Sequence, residues 1–153
     1  MRGWRAFAVT ALPAAVLIAA AQPALAADYR GVSADAAVLY DGPSERARKI
    51  YVVVRGTPLE VLSTVTRWVK VRDVDGDVLW IHGDDLGESR HVIVARALAS
   101  VRRTAGEVGE LLFQAERGVL LELVDDSAPA GWLHIRHRDG TVGYVSSSEV
   151  FGR

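Results

Sequence analysis

Two stretches of the chain decide its fold: WVKVRDVDGDVLWI at Trp68–Ile81 and WLHIRHRDGTVGYV at Trp132–Val145. The spacing from the first leading tryptophan to the second equals the spacing between their Asp-Gly pairs. Upstream of them, Arg55–Val61 matches Arg117–Leu123, at a spacing two residues shorter than that between the tryptophans. The second copy therefore holds two extra residues, which fall in the loop-like segment Asp125–Pro129. Insertions confined to a loop indicate that the chain is an internal duplication.

Each copy is predicted to consist of short strands. Apolar residues alternate with an acid in Leu59–Val61 and Leu121–Leu123, a pattern typical of half-buried strands. The Asp-Gly pairs predict hairpin turns, because glycine accepts the positive φ of a tight turn. Gly56 and Gly118 each precede a strand and are expected to form bends. A helix over Ser100–Ala115 is the alternative for that segment, and its internal glycines disfavour it.

The boundary between the copies is predicted inside the β-rich run Arg90–Val101, which would close the first copy and open the second. This divides the chain into domains at 28–95 and 96–152. A unit of ~60 residues buries only ~60% of its surface and is marginally stable alone. Because no Gly/Ser-rich or Pro-rich linker separates the copies, we expect a compact pair.

The segment 1–26 is predicted to be an export signal peptide. Arg2 and Arg5 precede the apolar run Ala6–Ala21, and Ala24–Ala26 supplies a small-x-small cleavage pattern. The run is shorter than the ~20 residues that a spanning helix needs, and Pro13 interrupts it. We therefore expect an exported protein, periplasmic or secreted, with no stable membrane anchor after cleavage. An uncleaved anchor is the alternative.

Composition excludes several classes of site. The chain has 153 residues, 50% of them hydrophobic and 24% charged, and it has no cysteine. Disulfides, thiolate zinc sites and cysteine nucleophiles are thereby excluded. The formal net charge is −1, and basic residues alternate with acids without forming a block. This distribution argues against a nucleic-acid partner.

The ordered motifs resemble the bacterial SH3 domain family, in a tandem form found in exported proteins. The resemblance covers about residues 36 to 152 and implies two small five-stranded β-barrels, an all-β fold, with a binding role. Members of the family bind peptidoglycan peptides or act as interaction modules, often beside cell-wall hydrolases. The residues that carry the resemblance in the first copy are Ala37–Ser44, Ile50–Val54, Gly56, Trp68–Val71, Gly76 and Trp80-Ile81.

The sequence also departs from the family pattern. The family often has glycine before its last aromatic residue; the second copy keeps it as Gly143, whereas the first has Leu79. Arg102–Gly106 replaces the Gly-Pro-Ser element in the second copy. His82 and Ser146 stand where eukaryotic SH3 domains have the proline of the polyproline groove. Polyproline binding is therefore not expected.

No catalytic residue, metal site or cofactor is predicted. His134 and His137 are three residues apart, which places them on opposite faces of a strand. The acids of Asp73–Asp84 imitate a calcium loop, but its glycine is at the fourth position instead of the sixth, and a hairpin turn explains the acids better. We find no pairing of a nucleophile with a base, so the protein is expected not to be an enzyme.

Aromatic side chains are the candidate ligand-binding groups. Trp68 and Trp132 share a strand face with basic residues, a surface suited to peptides or sugars. The alternative is that these rings only cover the edge of the barrel. The predicted ligand-binding residues are Tyr40, Trp68, Trp80, Trp132 and Tyr144.

The direction of Trp80 depends on the length of the preceding turn. A two-residue turn would place Trp80 opposite Val71, on the core face, and a turn one residue longer would reverse this.

Two functions stay open. The first is a binding module for cell-wall peptidoglycan peptide or a wall-associated envelope protein, with the first copy favoured because it retains more of the family pattern. The second is a structural or scaffolding partner of another periplasmic protein, with no wall ligand.

Overall fold

The computed structural model describes residues 27–153, so the predicted signal peptide at 1–26 lies outside the described residues. Within them the chain forms fourteen strands and two short 3-10 turns, Gly83–Asp85 and Ser147–Glu149. No helix in the described part is long and apolar enough to cross a membrane. The strands are β1 Tyr29–Val32, β2 Ala36–Tyr40, β3 Lys49–Val54, β4 Pro58–Val65, β5 Trp68–Arg72, β6 Val78–His82, β7 Leu86–Glu88, β8 His91–Val94, β9 Leu98–Arg102, β10 Leu111–Glu116, β11 Leu120–Asp125, β12 Trp132–Arg136, β13 Val142–Ser146 and β14 Val150–Phe151.

The strands form two antiparallel sheets with the same topology. The order is β3-β2-β6-β5-β4-β1-β7 in the first sheet and β10-β9-β13-β12-β11-β8-β14 in the second. The second order is the first with every strand shifted by seven, which confirms the predicted all-β duplication. Each unit has seven strands instead of five, because short segments such as β7, with three residues, also pair within the sheet.

Each sheet folds around its own hydrophobic core, to which strands across its whole width contribute. Alternate residues of the central strands point inward, as Val69 and Val71 of β5 show. Burial of one such aliphatic side chain stabilises the fold by about 1.5–3 kcal/mol. The first core is built from Val32, Ala37, Leu39, Leu59, Val69, Val71, Leu79 and Ile81, and the second from Val92, Val94, Ala99, Val101, Ala115, Leu121, Leu133, Ile135 and Val145.

Backbone irregularities recur at matched places in the two units. Ile50 of β3 and Leu112 of β10 are each skipped in the pairing with the neighbouring strand, forming a bulge. A second bulge is repeated in β4 and β11. Gly56 and Gly118 have φ of +85° and +87°, so the predicted bends are confirmed. Over Ser100–Ala115 the chain forms β9 and β10 around a turn, and no helix is present.

The break between the units differs from the predicted one. The first sheet ends with β7 at Glu88, and the second begins with β8 at His91, whereas the sequence predicts a division between 95 and 96. The reason is that β8 pairs with β11 and β14, so the run Arg90–Val101 belongs to the second sheet. The units touch where the ring of Phe151 meets Tyr29 edge-on, with centroids 5.1 Å apart.

Candidate ligand-binding surfaces

One outer sheet face of the first unit gathers aromatic and basic side chains. Pairing of Lys70 and Tyr40 with Trp80, and of Trp68 with His82, places these five residues side by side on β2, β6 and β5. We call this set the first aromatic face. Trp80 belongs to it because the preceding turn has five residues, from Asp73 to Asp77, between the paired Arg72 and Val78. The outward direction of Trp80, which the sequence left open, is thereby settled.

Trp68 forms the floor of the first aromatic face and is only 8% exposed. Tyr40, two strands away on β2, meets it edge-on at a centroid distance of 5.2 Å, and His82 on the adjacent strand β6 does so at 5.2 Å. Rings from two other strands therefore cover the indole of Trp68. Trp80 is half-buried, with Nζ of Lys70 5.7 Å from its ring centroid, within the range of a cation–π contact.

A cleft of about 350 Å³, the aromatic cleft, opens at one end of this face. Tyr40, Trp68 and His82 line it, and charged groups of both signs surround them. The charged residues are Glu45, Lys49 and Asp85. Sequence reasoning missed these three, because they lie in loops and at a strand start and only the folded chain brings them to the rings. A cleft with both signs of charge and aromatic walls suits a peptide, which carries amide, amino and carboxylate groups.

The second unit carries a related but different surface, the second aromatic face, formed by Trp132, His134 and Tyr144. The rings of His134 and Tyr144 are stacked, with centroids 4.7 Å apart and planes 12° from parallel. Nδ1 of His134 lies 2.9 Å from Oδ2 of Asp125. Hydrogen bonds from the hydroxyl of Ser127, from His134 and from the Ser127 N–H lower the pKa of Asp125 to about 2.

The two faces differ most at the position of Tyr40. The equivalent residue in the second unit is Arg102, whose Nη1 donates a hydrogen bond to the Gly109 carbonyl at 2.7 Å. The predicted ligand-binding residues thus divide between two faces, with Tyr40, Trp68 and Trp80 on one and the remaining pair on the other.

The acids that imitate a calcium loop have a structural role. The carboxylate of Asp73 is buried and accepts hydrogen bonds from the N–H groups of Asp75 and Asp77 and from the Tyr51 hydroxyl. Its oxygens are thereby occupied in holding the turn. In residues 27–153 no group of three or more His, Asp or Glu side chains is placed to hold a metal ion.

Comparison with known families decides the identity of both units. One family model described as a bacterial SH3 domain matches residues 35–87, and a second model with the same description matches residues 95–152. The chain is a tandem of two bacterial SH3 domains. The first SH3 domain holds β1–β7 and the second SH3 domain holds β8–β14.

Two solved structures are similar to the tandem at low sequence identity. They are titled as structures of NlpC1 and NlpC2 from Trichomonas vaginalis, each 15% identical to this chain, with TM-scores of 0.39 and 0.37. The matches cover 92% and 82% of this chain, which spans about half the length of each of them, 51% and 47%. No curated protein matches the chain significantly.

Proposed function

We propose that the tandem SH3 domains are an exported, non-catalytic binding module that recognises cell-wall peptidoglycan peptide through the first aromatic face. The observation that carries the proposal is the aromatic cleft. Its ring walls provide apolar contact, and Lys49 lies at the rim with Glu45 and Asp85. A peptide with charged groups of both signs is complementary to such a rim.

The chemistry of the cleft supports binding without catalysis. The side chains that line it include no serine, threonine or cysteine that could act as a nucleophile. Nδ1 of His82 lies 3.4 Å from Oδ2 of the exposed Asp84, and the imidazole ring packs against Trp68. These contacts hold the imidazole as part of the wall.

Co-sedimentation with purified sacculi tests the proposal on the chain that begins at Ala27. We expect Tyr40→Ala and Lys49→Ala each to weaken binding, because each removes part of the cleft lining. Tyr144→Ala, on the second aromatic face, is the matched control and should leave binding unchanged. Trp68→Ala is unsuitable, because removal of a buried indole costs about 3–5 kcal/mol of stability. Binding that survives both cleft variants, or no binding by the unaltered chain, overturns the proposal.

Export is tested separately, by expression of the full chain and fractionation of the cells. We expect the soluble envelope fraction to contain a protein whose first residue is Ala27, since Ala24–Ala26 supplies the cleavage pattern. Recovery of the unprocessed chain from the cytoplasm, or of a membrane-bound form that keeps Arg2 and Arg5, would contradict this part of the proposal.

A protein partner is a second candidate, and one observation favours it. β3 is an edge strand of the first sheet, and its outward-facing Val52 and Val54 are 60% and 56% exposed. The equivalent positions of the second domain hold Gln114 and Glu116, which are exposed polar residues. Edge strands with exposed apolar residues pair readily with an extended segment of another protein.

The second domain supplies the variant that tests this candidate. The double variant Val52→Gln and Val54→Glu gives β3 the outward residues of β10. It should abolish the capture of one envelope protein, in stoichiometric amount, by the tandem domains. Sacculus binding should be unchanged. Capture of that protein in equal amount by the variant would refute a role for the β3 edge.

A further inference from the structure

The second SH3 domain has a cleft of about 540 Å³ whose lining includes no residue of either aromatic face. It opens at the end of β12 where Arg136 lies, four residues and about 13 Å along the strand from Trp132. We call it the second-domain cleft. Its lining includes His91, Leu120, Glu122, Arg136, His137 and Arg138.

The second-domain cleft carries an excess of cationic groups. Nη1 of Arg136 lies 3.2 Å from Oε2 of Glu122, so the single carboxylate among the lining residues is already paired. Arg138 is exposed and forms no ion pair within the described chain. One guanidinium therefore faces the cleft without a charge partner in residues 27–153. Arginine in such a position favours a carboxylate or phosphate group, which it binds with two parallel hydrogen bonds.

Apolar and imidazole groups complete the cleft. The backbone from Gly118 to Leu120 forms one wall, with the side chains of Val119 and Leu120. The ring of His137 lines the cleft and also packs against Phe113, at a centroid distance of 5.2 Å. Its Nδ1 is buried 3.1 Å from Oδ2 of Asp139, without hydrogen-bond geometry and without another partner among the described residues. The cleft thus combines an apolar wall and an imidazole ring with arginine side chains.

The first SH3 domain shows that this combination is specific to the second. The residues equivalent to His91, His137 and Arg138 are Tyr29, Asp73 and Val74. None of these three carries a cationic group, so the two domains do not share the chemistry of this cleft.

The corresponding surface of the first domain is also covered, because the second domain packs on it. Tyr29 meets the ring of Phe151, and a Cβ on Gly152 would lie 2.6 Å from the Cβ of Pro58. Nη2 of Arg117 approaches the Val74 carbonyl at 3.4 Å. The equivalent surface of the second domain is an open cleft.

We propose that the second-domain cleft binds the free carboxylate end of a peptide. Arg138 is the direct partner of the carboxylate, and the Val119–Leu120 wall accepts the apolar side chain next to the carboxylate. Arg136 lines the same cleft and stays paired with Glu122. The volume lies in the range of ~300–1,000 Å³ that is typical of small-ligand sites. This inference goes beyond the proposed function, because it assigns a second site with a different chemistry on the other domain.

Titration of the Ala27–Arg153 chain, followed by amide NMR shifts, tests the proposal. The probe is N-acetyl-alanyl-alanine, its C-terminal amide is the matched control, and inorganic phosphate is the third arm. We expect saturable shifts for the amides of Arg138, His137 and Leu120 with the acid, and about tenfold weaker binding of the amide, since a charge-assisted hydrogen bond is lost.

The variant Arg138→Val installs the residue of the first domain and should weaken binding of the acid about tenfold. Arg48→Val, at an exposed arginine of the first domain, is the control and should not change it. An unshifted amide spectrum away from residue 138 shows that the variant is folded. Tyr40→Ala should also leave this binding intact, which separates the second-domain cleft from the aromatic cleft.

Four results would overturn the proposal. Equal binding of acid and amide would mean that the carboxylate is not recognised, and an unchanged affinity in Arg138→Val would remove its direct partner. Phosphate that binds more tightly than the acid would assign the cleft to phosphate instead of a peptide end. Absence of saturable shifts with the acid also counts against the site.

Discussion

The hydroxyl of Tyr51 donates a hydrogen bond to Oδ2 of Asp73, a charged residue that is buried in the first SH3 domain. The other carboxylate oxygen of Asp73 accepts the N–H groups of Asp75 and Asp77, each at 2.9 Å. Three donors therefore satisfy a carboxylate that burial would otherwise destabilise. The second domain has Phe113 and His137 at the positions of this pair, so the two domains hold the same turn by different contacts.

Tyr51→Phe should lower the free energy of unfolding by about 1 kcal/mol, because it removes one hydrogen bond and leaves the other two donors in place. Urea unfolding followed by tryptophan fluorescence measures the change. Tyr144→Phe is the matched control, since the Tyr144 hydroxyl makes no hydrogen bond to another described residue. Equal stability of the two variants would show that the Tyr51–Asp73 contact contributes nothing.

The same pair predicts a loss of stability at high pH. Burial, and then the hydrogen bond to Asp73, raise the pKa of Tyr51 well above its ordinary value. The unfolded chain ionises near pH ~10, whereas the folded chain keeps the phenol protonated. The contribution of Tyr51 is therefore complete below pH ~10 and decreases as the pH rises above it. Between pH 8 and pH 11 the free energy of unfolding should decrease more for the native chain than for Tyr51→Phe. An equal decrease in the two proteins would contradict this.

Duplication, strands and bends follow from local sequence, which is why they could be predicted. The Asp-Gly pairs, the alternating apolar residues and the bends at Gly56 and Gly118 depend on a few neighbouring residues. The direction of Trp80 could not be predicted, because it depends on whether the turn has two residues or five. The turn has the same five-residue length in the second domain, where His137 stands in place of Asp73, so no single side chain of the local pattern marks it.

The candidate site could be predicted only in part, for a related reason. The sequence placed Trp68 on the correct face of β5, but its burial depends on Tyr40 and His82, which arrive from other strands. The bulge at Ile50 shifts the pairing of β3 by one residue, and nothing in the local pattern marks it. The cationic second-domain cleft was missed because Arg138 lies in a turn and His91 on a different strand.

The turn between β4 and β5 holds a strained residue, Thr66, with φ of +55°. Glycine accepts this conformation without steric cost, so Thr66→Gly should raise the free energy of unfolding by about 0.5–1 kcal/mol. Gly131→Ala tests the opposite sign in the second domain, where φ is +85° and no atom lies near the added Cβ. It should destabilise by about 1 kcal/mol through the backbone alone. Thermal unfolding of both variants tests these expectations. Melting temperatures that change in the same direction would contradict them.

The contact between Tyr29 and Phe151 should couple the two domains energetically. An edge-on aromatic pair contributes about 0.5–1.5 kcal/mol beyond the area it buries. A double-mutant cycle with Tyr29→Ala and Phe151→Ala should therefore give a coupling energy near ~1 kcal/mol in urea unfolding. The control cycle pairs Phe151→Ala with Val108→Ala, a fully exposed position, and should give zero. A coupling as small as in the control would mean that the domains unfold independently of this contact.

Gly143 marks a place where the second domain packs tightly. A Cβ there would lie 2.7 Å from the Arg102 carbonyl oxygen, 2.8 Å from Cγ1 of Val101 and 3.0 Å from Cδ1 of Leu112. The first domain has Leu79 at this position, only 8% exposed, so its strands leave room for a side chain. The close approach of β9 and β13 therefore disfavours any side chain larger than that of glycine at this position.

Gly143→Ala should accordingly lower the free energy of unfolding by about 1–3 kcal/mol, the cost of overpacking a core. Adding Leu112→Ala should recover only part of the loss, because the Arg102 carbonyl is backbone and cannot move aside. Gly42→Ala is the control, since its Cβ would make one ordinary contact, at 3.5 Å to Ala47. It should change stability by less than about 0.5 kcal/mol. Chemical denaturation of the three variants tests the series. Full recovery in the double variant would show that Leu112, and not the strand backbone, sets the limit at Gly143.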